Sequence, residues 1–369
     1  MLSEERTIAM EVIKNTKLTI YDIAQELGIS IATVSRALNG KEDVSEKTRK
    51  RILETAKQMG YKASKTAASL SRKEKRFAAV FPELIHDYDN EVRRGIEKAV
   101  QDLQDYHVSV DMITIERDPV LFADKLEDLS LQGYDGVLMI PSVGEEQLSA
   151  LLREKNLGRM AIATMTTDLA RDTRVFLVQS NGRVAGRMAG ELLGTFLGPG
   201  RKVALVTGQM TSQVHQKTAE GFLKEIEAQG LSFAGIYEHY DKPSRAYVLA
   251  EKLVQEHPDI DGLYLATANS VTFCNRLTEM GYGGKIRLIA SDIFPKMVEF
   301  IKSGLVFATI FQNPFNQGRL ATRYLFEYLV EGREFEEDEV LLDPQIVLKS
   351  NLELYETKLL DAMSEDILF

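Results

Sequence analysis

Ten short apolar runs between residues 77 and 311 alternate with helical segments, and this alternation constrains the fold more than any other feature of the sequence. The runs are FAAVF (77–81), VSVDMI (108–113), GVLMI (136–140), MAIAT (160–164), RVFLV (174–178), KVALVT (202–207), FAGIYEH (233–239), GLYLA (262–266), IRLIA (286–290) and VFATIF (306–311). Helical periodicity falls between them, over 91–103, 119–131, 182–196, 216–229, 244–256 and 316–331. Near-continuous apolar strands that alternate with helices predict parallel sheets buried on both faces. Because one sheet does not comfortably hold so many strands, we expect an α/β fold with two doubly wound lobes.

Polar side chains that directly follow these runs are candidates for a binding pocket, because parallel sheets bind ligands beyond the carboxyl ends of their strands. The candidates are His86, Tyr88, Ser142, Thr166, Lys217, Asn269, Asp292, Phe294 and Gln312. Asp292 and Asn269 also fit N-caps of the helices that follow them, and His86 fits a turn. Tyr88 and Phe294 also fit core positions. An aspartate and two amide side chains would supply the donors and acceptors that vicinal hydroxyl groups need.

The first 70 residues show a different pattern, with signals for three short helices. Apolar residues recur at helical spacing from Ile20 to Leu27, and Thr19 with Asp22 forms a capping box before Gly28 ends the helix. Ser30 can cap a second helix that ends near Leu38, and Ser45 can cap a third. Two helices joined by a short glycine-containing turn indicate a helix-turn-helix.

Such a motif places its second helix in the major groove of DNA. Arg36 has the reach for a bidentate contact to guanine, although it also fits a solvated surface arginine, while Ile31 and Ala32 can make only apolar contacts to bases. The side chains suited to phosphates are Thr19, Tyr21, Thr33, Ser35, Asn39 and Thr48.

The distribution of charge agrees with a DNA-binding head. The whole chain carries 45 Lys and Arg against 55 Asp and Glu, a net charge of -10. Residues 1–76 hold 16 of these basic residues and only 10 of the acidic ones, which leaves 29 against 45 in the remainder. A basic segment attached to an acidic body is typical of a DNA-binding module joined to a domain with another role.

The motifs ISIATVSRALNG, VSEKTRKRILETAKQMGY and SKTAASL resemble the lactose/galactose repressor family of bacterial transcription regulators. The resemblance is specific over residues 19–70 and continues more weakly to about residue 350. It implies an all-α helix-turn-helix DNA-binding domain over 19–61, preceded by an extension (1–18). It also implies a hinge helix or linker over 62–76, in which Leu70 wedges into the minor groove and kinks the operator.

The resemblance further implies a regulatory domain over 77–355 built like the sugar-binding periplasmic proteins, followed by a tail (356–369). One lobe would hold about 77–178 and 311–335, and the other about 180–308 and 338–354. Asp292, Gln312 and Asn269 coincide with sugar contacts of that fold. Two departures predict a less charged pocket than usual. Thr218 stands where many members have an arginine, and Met165 to Thr167 replace an aspartate–arginine pair; Lys217 or His215 could substitute.

These observations predict a sequence-specific DNA-binding transcriptional regulator of the repressor type, controlled by a sugar or sugar derivative bound between two lobes. A repressor that depends on a nucleoside or another corepressor is the alternative. The expected partners are double-stranded operator DNA, the effector and a second copy of the chain. We expect no enzymatic activity, cofactor or metal, since the sequence lacks phosphate-binding glycine motifs and metal-ligand spacings. The absence of a signal peptide or apolar span predicts a cytoplasmic protein without membrane attachment.

Overall fold

The computed structural model describes residues 20–38, 44–59, 74–83 and 87–355. The chain divides near residue 74 into a small helical unit and a large α/β unit. Each unit has its own apolar core.

The helical unit consists of α1 (Ile20–Leu27), α2 (Ile31–Leu38) and α3 (Glu46–Gln58). Gly28 ends α1 with a φ of 65°, a left-handed conformation that glycine adopts without strain. Two of the predicted caps are present, because Ser30 Oγ accepts from Thr33 N at 3.1 Å and Ser45 Oγ accepts from Thr48 N at 3.3 Å. Thr19, of the predicted capping box, lies outside the described residues. One apolar cluster holds the three helices together: Ile23, Ala24, Val34, Ala37, Val44, Ile52 and Ala56.

The large unit contains two six-stranded sheets, which confirms the predicted α/β class. The first sheet has the order β11-β5-β4-β3-β1-β2, with all neighbours parallel. The second has the order β12-β10-β9-β8-β6-β7, and only β12 is antiparallel. The strands are β1 (Lys75–Pro82), β2 (Val108–Ile115), β3 (Gly136–Met139), β4 (Ala161–Met165), β5 (Phe176–Ser180), β6 (Lys202–Thr207), β7 (Ser232–Glu238), β8 (Gly262–Ala266), β9 (Arg287–Ser291), β10 (Val306–Phe311), β11 (Glu339–Leu342) and β12 (Gln345–Leu348).

Helices connect the strands and pack on the sheets. They are α4 (Asp87–Asp102), α5 (Pro119–Leu131), α6 (Glu145–Glu154), α7 (Gly182–Leu197), α8 (Gln213–Ala228), α9 (Pro243–Glu256), α10 (Ser270–Glu279), α11 (Pro295–Ser303) and α12 (Pro314–Phe326), with a π-helical turn at Glu327–Glu331. Close helix pairs depend on glycine. A Cβ on Gly186 of α7 would lie 2.1 Å from the carbonyl oxygen of Thr218 on α8, and a Cβ on Gly95 of α4 would lie 1.9 Å from that of Phe315 on α12.

The chain passes between the two sheets three times, after β5, after β10 and between β11 and β12. We call the part built on the first sheet lobe 1 and the part built on the second lobe 2. The expected boundary near the C-terminus needs correction. The resemblance predicts that residues 338–354 belong to lobe 2, and β12 does pair with β10 there. However, β11 pairs with β5 and forms the edge of the lobe 1 sheet. After β10 both sheets still lack an edge strand, and the pattern of apolar residues does not indicate which sheet the next strand joins.

Candidate functional site

A cavity of about 110 Å³ lies where the carboxyl ends of the strands of both lobes face each other. Its lobe 1 wall comes from the end of β1, the start of α4 and the segments after β2, β3 and β4. Its lobe 2 wall comes from α8, the ends of β8 and β9, and the segments after β7, β8, β9 and β10. The lining residues are Pro82, Tyr88, Asp89, Arg117, Ile140, Ser142, Thr166, Val214, His215, Thr218, Asp241, Tyr264, Ala266, Thr267, Ala268, Ser291, Asp292 and Gln312. This mixture of apolar surface and a few placed polar groups is typical of small-molecule sites.

Asp292 is the most deeply buried carboxyl group of the cavity, with 1% of its surface exposed. It follows β9 with a φ of 63°. Its Oδ1 accepts from the backbone N of Gln312 at 2.8 Å, and its Oδ2 accepts from Gln312 Nε2 at 2.8 Å. Burial raises the pKa of Asp292 to about 7 even though both Gln312 donors lower it. A ligand hydroxyl or other donor that reached this carboxylate would replace part of the hydration lost on burial.

A chain of hydrogen bonds positions the opposite wall. Thr166 Oγ1 donates to Gln317 Oε1 at 3.2 Å, and Gln317 Nε2 donates to Tyr88 OH at 2.9 Å. Burial, with a contribution from the negative charge of Asp292, raises the pKa of Tyr88, so the phenol stays protonated. Because the Tyr88 hydroxyl accepts a hydrogen bond from Gln317, the hydroxyl proton of Tyr88 can be donated to a ligand.

An ion pair connects the two walls. Arg117, which follows β2 in lobe 1, donates through Nη2 to Asp241 Oδ2 at 3.0 Å, and Asp241 follows β7 in lobe 2. The same guanidinium donates through Nε to the carbonyl oxygen of Ser142 at 2.6 Å. His215 Nδ1 lies 2.8 Å from Thr207 Oγ1. Burial lowers the pKa of this imidazole more than the negative charge of Asp241 raises it, and the positive charge of Arg117 lowers it further. His215 is therefore neutral at neutral pH.

The structure brings five of the nine predicted pocket residues together around the cavity: Tyr88, Ser142, Thr166, Asp292 and Gln312. Three others lie outside its lining. Asn269 is 4% exposed at the N-cap position of α10, Phe294 is 2% exposed in the core of lobe 2, and Lys217 is half-buried on α8. His86 lies outside the described residues.

Sequence reasoning overlooked Arg117 and Asp241, although the rule it used could have found them. Arg117 comes two residues after β2 and Asp241 three residues after β7, at the ligand-binding edge of each sheet. Because β2 extends two residues beyond its apolar run, to Ile115, the pattern of apolar residues puts Arg117 too far from the strand end. Tyr264 was overlooked for another reason. It lies inside β8 and lines the cavity from within the strand, a position that no signal in the sequence separates from the core.

On the helical unit, the exposed face of α2 carries the side chains expected to read bases. Ile31 is 37% exposed, Ala32 and Arg36 are exposed, and Val34 and Ala37 on the other face are buried. Arg36 Nε donates to the carbonyl oxygen of Ala32 at 3.2 Å. The hydroxyls of Thr33 and Thr48 lie 2.8 Å from those of Ser30 and Ser45, and Ser35 is half-buried on α2. Thr19, Asn39 and Leu70 lie outside the described residues, as does the side chain of Tyr21.

Comparison with known families agrees with both units. Residues 77–334 match the periplasmic binding protein domain, and residues 19–64 match the bacterial regulatory proteins of the lacI family. The chain belongs to the lacI family. This regulator is 23% identical over 344 residues to catabolite control protein A of Staphylococcus aureus, covering 91% of its own length and 98% of the relative. It is 31% identical over 153 residues to the HTH-type transcriptional regulator RegA of Clostridium saccharobutylicum, covering 41% and 45% of the two chains.

Solved structures resemble the large unit of this regulator. A glucose-galactose binding protein, GanP, of Geobacillus stearothermophilus superposes with a TM-score of 0.68 at 21% identity, over 76% of this chain and 99% of that one. A solute binding protein of Agrobacterium vitis with bound D-fucose gives a TM-score of 0.70 at 18% identity, over 77% and 98%. These similarities show the fold. Together with the family, the exposed face of α2 makes the chain a DNA-binding regulator. None of the helices in the described ranges has the length and hydropathy that a membrane-spanning segment requires.

Proposed function

We propose that this regulator is a homodimeric repressor of the cytoplasm, and that an uncharged sugar or sugar derivative in the cavity releases it from operator DNA. The observation that carries the proposal is the cavity between the lobes, with the Asp292 and Gln312 pair on one wall and the Tyr88 hydroxyl on the other. A carboxylate, an amide and a phenol match the alternating donors and acceptors of a polyol. Relatives in the fold include proteins described as binding glucose, galactose or D-fucose.

The charges around the cavity favour a neutral ligand. Three carboxyl groups line it, those of Asp89, Asp241 and Asp292, against the single guanidinium of Arg117 among the described residues. That guanidinium is already paired with Asp241. A sugar phosphate would add negative charge to a site where negative charge is in excess, and like charges at close range repel strongly in a buried site.

The size of the cavity favours a small ligand. A volume of about 110 Å³ is below the ~150 Å³ of an engineered cavity that holds benzene. Because a hexose is larger than benzene, even a single sugar ring requires the two walls to move apart somewhat, and an oligosaccharide would require far more movement.

The DNA-binding unit supports a dimer on a two-fold site. The α2 helix is only eight residues long, and helix-turn-helix proteins usually read two half-sites through two copies of such a helix. In this proposal Arg36 reads guanine, Ile31 and Ala32 contact bases, and paired Leu70 side chains open the minor groove at the operator centre. Lobe closure changes the separation of the two heads and so the affinity for DNA.

Thermal denaturation of the full chain in the presence of single compounds tests the proposal. The panel holds neutral monosaccharides, polyols, the matching sugar phosphates and nucleosides. A compound that binds only the folded state stabilises it by about 2.7 kcal/mol at a hundredfold excess over its dissociation constant. We expect a neutral sugar to raise the midpoint and its phosphate not to.

Asp292→Ala provides the matched variant. This variant should still bind operator DNA, but the sugar should no longer raise its thermal midpoint or release it from DNA. Asp343→Ala, which changes an exposed carboxyl group, should bind the operator and respond to the sugar in both assays. A shift from nucleosides alone would replace the proposal with a corepressor mechanism. A shift from sugar phosphates would contradict the charge argument.

A further inference from the structure

A second set of contacts crosses between the lobes outside the cavity lining, and it centres on Glu145. This residue begins α6 of lobe 1, and its side chain is buried, with 7% of the residue exposed. Its Oε1 accepts from Ser212 Oγ at 2.6 Å, and its Oε2 accepts from the backbone N of Gln213 at 3.2 Å. Thr167 Oγ1, from its own lobe, donates a further short hydrogen bond.

Ser212 and Gln213 form the N-terminus of α8, which belongs to lobe 2. Ser212 occupies the N-cap position, yet its side chain does not cap its own helix. The hydroxyl turns to the Glu145 carboxylate instead, and that carboxylate accepts a backbone N–H that helix geometry leaves without a partner. A negative charge at a helix N-terminus is also favoured by the helix dipole. The cap of a lobe 2 helix therefore comes from lobe 1.

This cap bears directly on the cavity, because the first turns of α8 carry three lining residues, Val214, His215 and Thr218. The tight glycine contact between α7 and α8 makes α8 a fixed part of lobe 2, so that α8 cannot follow lobe 1 alone. Glu145 consequently sets how close the lobe 2 wall comes to the lobe 1 wall. The Arg117 to Asp241 pair closes the same gap from within the cavity.

Separation of the lobes would change the surroundings of Glu145 completely. In the closed arrangement the carboxylate is out of water and depends on two donors of lobe 2. Hydrogen bonds to charged groups are among the stronger ones, and a buried acceptor left without its donors is costly. Opening must therefore break both contacts together and hydrate the carboxylate.

We propose that Glu145 is a positioning residue that holds the lobes closed by capping α8 across the cleft. An effector in the cavity would then contact a lobe 2 wall whose position this cap sets. Only the last statement rests on the proposed function, since closure itself can be measured without ligand or DNA.

Hydrogen–deuterium exchange and small-angle X-ray scattering on the full chain test the proposal. The variants are Glu145→Ala, Glu145→Gln and Ser212→Ala, and the control is Glu146→Ala. Glu146 is the exposed neighbour in the same helical turn. Exchange is read in peptides that cover 213–218 of lobe 2 and 140–150 of lobe 1.

We expect Glu145→Ala to speed exchange roughly tenfold or more on both sides of the cleft and to increase the radius of gyration. Glu145→Gln should give a smaller change, because its amide keeps one acceptor for Ser212 but turns an NH₂ group towards Gln213 N. Ser212→Ala should reproduce part of the effect. The double variant Glu145→Ala/Ser212→Ala should be at most slightly worse than Glu145→Ala, because without the carboxylate Ser212 keeps only its 3.2 Å hydroxyl contact with Thr167 of lobe 1. Glu146→Ala should behave as the wild type.

Faster exchange confined to 213–218, with an unchanged radius of gyration, would mean that Glu145 caps a helix without holding the lobes, and the proposal would fail. A wild-type radius of gyration equal to that of Glu145→Ala would also overturn it. If Glu145→Ala does not fold, Ser212→Ala alone decides between these outcomes. A failed search for a sugar ligand would leave these measurements unaffected.

Discussion

The buried carboxyl of Asp292 should make the stability of the large unit depend on pH. Burial raises its pKa to about 7, from ~3.9 in an unfolded chain. The folded state therefore binds this proton more tightly than the unfolded state does. The resulting stability is fully present below the unfolded value and is lost as the pH rises through about 7.

The magnitude follows from the two pKa values. A separation of about three units corresponds to roughly 4 kcal/mol in total, of which about 2 to 3 kcal/mol is lost between about pH 5 and about pH 8. Asp292→Asn removes the titration. The asparagine Oδ1 can still accept from Gln312 N, and the Gln312 amide can turn so that its oxygen meets the new NH₂ group.

Urea unfolding, followed by circular dichroism at about pH 5 and about pH 8, measures the effect. Between these values the wild type should lose about 2 to 3 kcal/mol more stability than Asp292→Asn. Asp343→Asn, which changes an exposed carboxyl, should follow the wild type. If wild type and Asp292→Asn lose the same stability within about 0.5 kcal/mol, Asp292 does not hold its proton as argued.

The other predictions concern packing, the cleft and DNA. A Cβ at Gly208 would lie 2.1 Å from Asp241 Oδ1, so Gly208→Ala should displace that carboxylate and weaken ligand binding tenfold or more while leaving DNA binding intact. Calorimetry with the sugar found by thermal denaturation measures this loss of affinity. An unchanged affinity would argue against a role for the cross-lobe ion pair. Phe222→Ala, at a fully buried site of lobe 2, should cost about 3 to 5 kcal/mol in urea unfolding. Arg36→Ala should cost about 1 to 3 kcal/mol on operator DNA and relax the preference for one base pair, as read by fluorescence anisotropy on operator variants. Leu70→Ala should weaken operator binding far more than binding to random DNA, and an equal loss on both would exclude the wedge.

The periodicity of the sequence was enough to predict the fold class, and the reason is physical. Runs such as KVALVT and GLYLA are buried on both faces, which excludes a half-exposed strand, and they became β6 and β8 with the predicted bounds. The caps at Ser30 and Ser45 are local signals and were equally readable. The position of the edge strand β11 could not be predicted from local signals, because long-range packing determines which sheet it joins. A strand of only four residues, none of them buried, carries too little pattern to show which sheet it joins.

The candidate site was predictable where its chemistry sits at the end of a strand. Asp292 and Gln312 follow β9 and β10 and meet as that rule requires. The cap by Glu145 could not be predicted, since it joins two helices that are far apart in the sequence. Its sequence context, an acidic residue in the first turn of α6, describes an ordinary helix start. Glu145 can cap α8 only because the two lobes face each other in the folded chain.

The three passages of the chain between the sheets have a consequence for the order of folding during synthesis. Lobe 1 is not complete when Ser180 leaves the ribosome, because its sheet still lacks β11 and its helical layer still lacks α12. Lobe 2 similarly waits for β12. Until the last part of the chain arrives, the apolar strands β5 and β10 are therefore exposed sheet edges, and such edges invite pairing with other chains. A fragment that ends before residue 339 should be a substrate for chaperones, whereas the full chain covers β5 and β10 with the short edge strands β11 and β12, which both lie within ten residues.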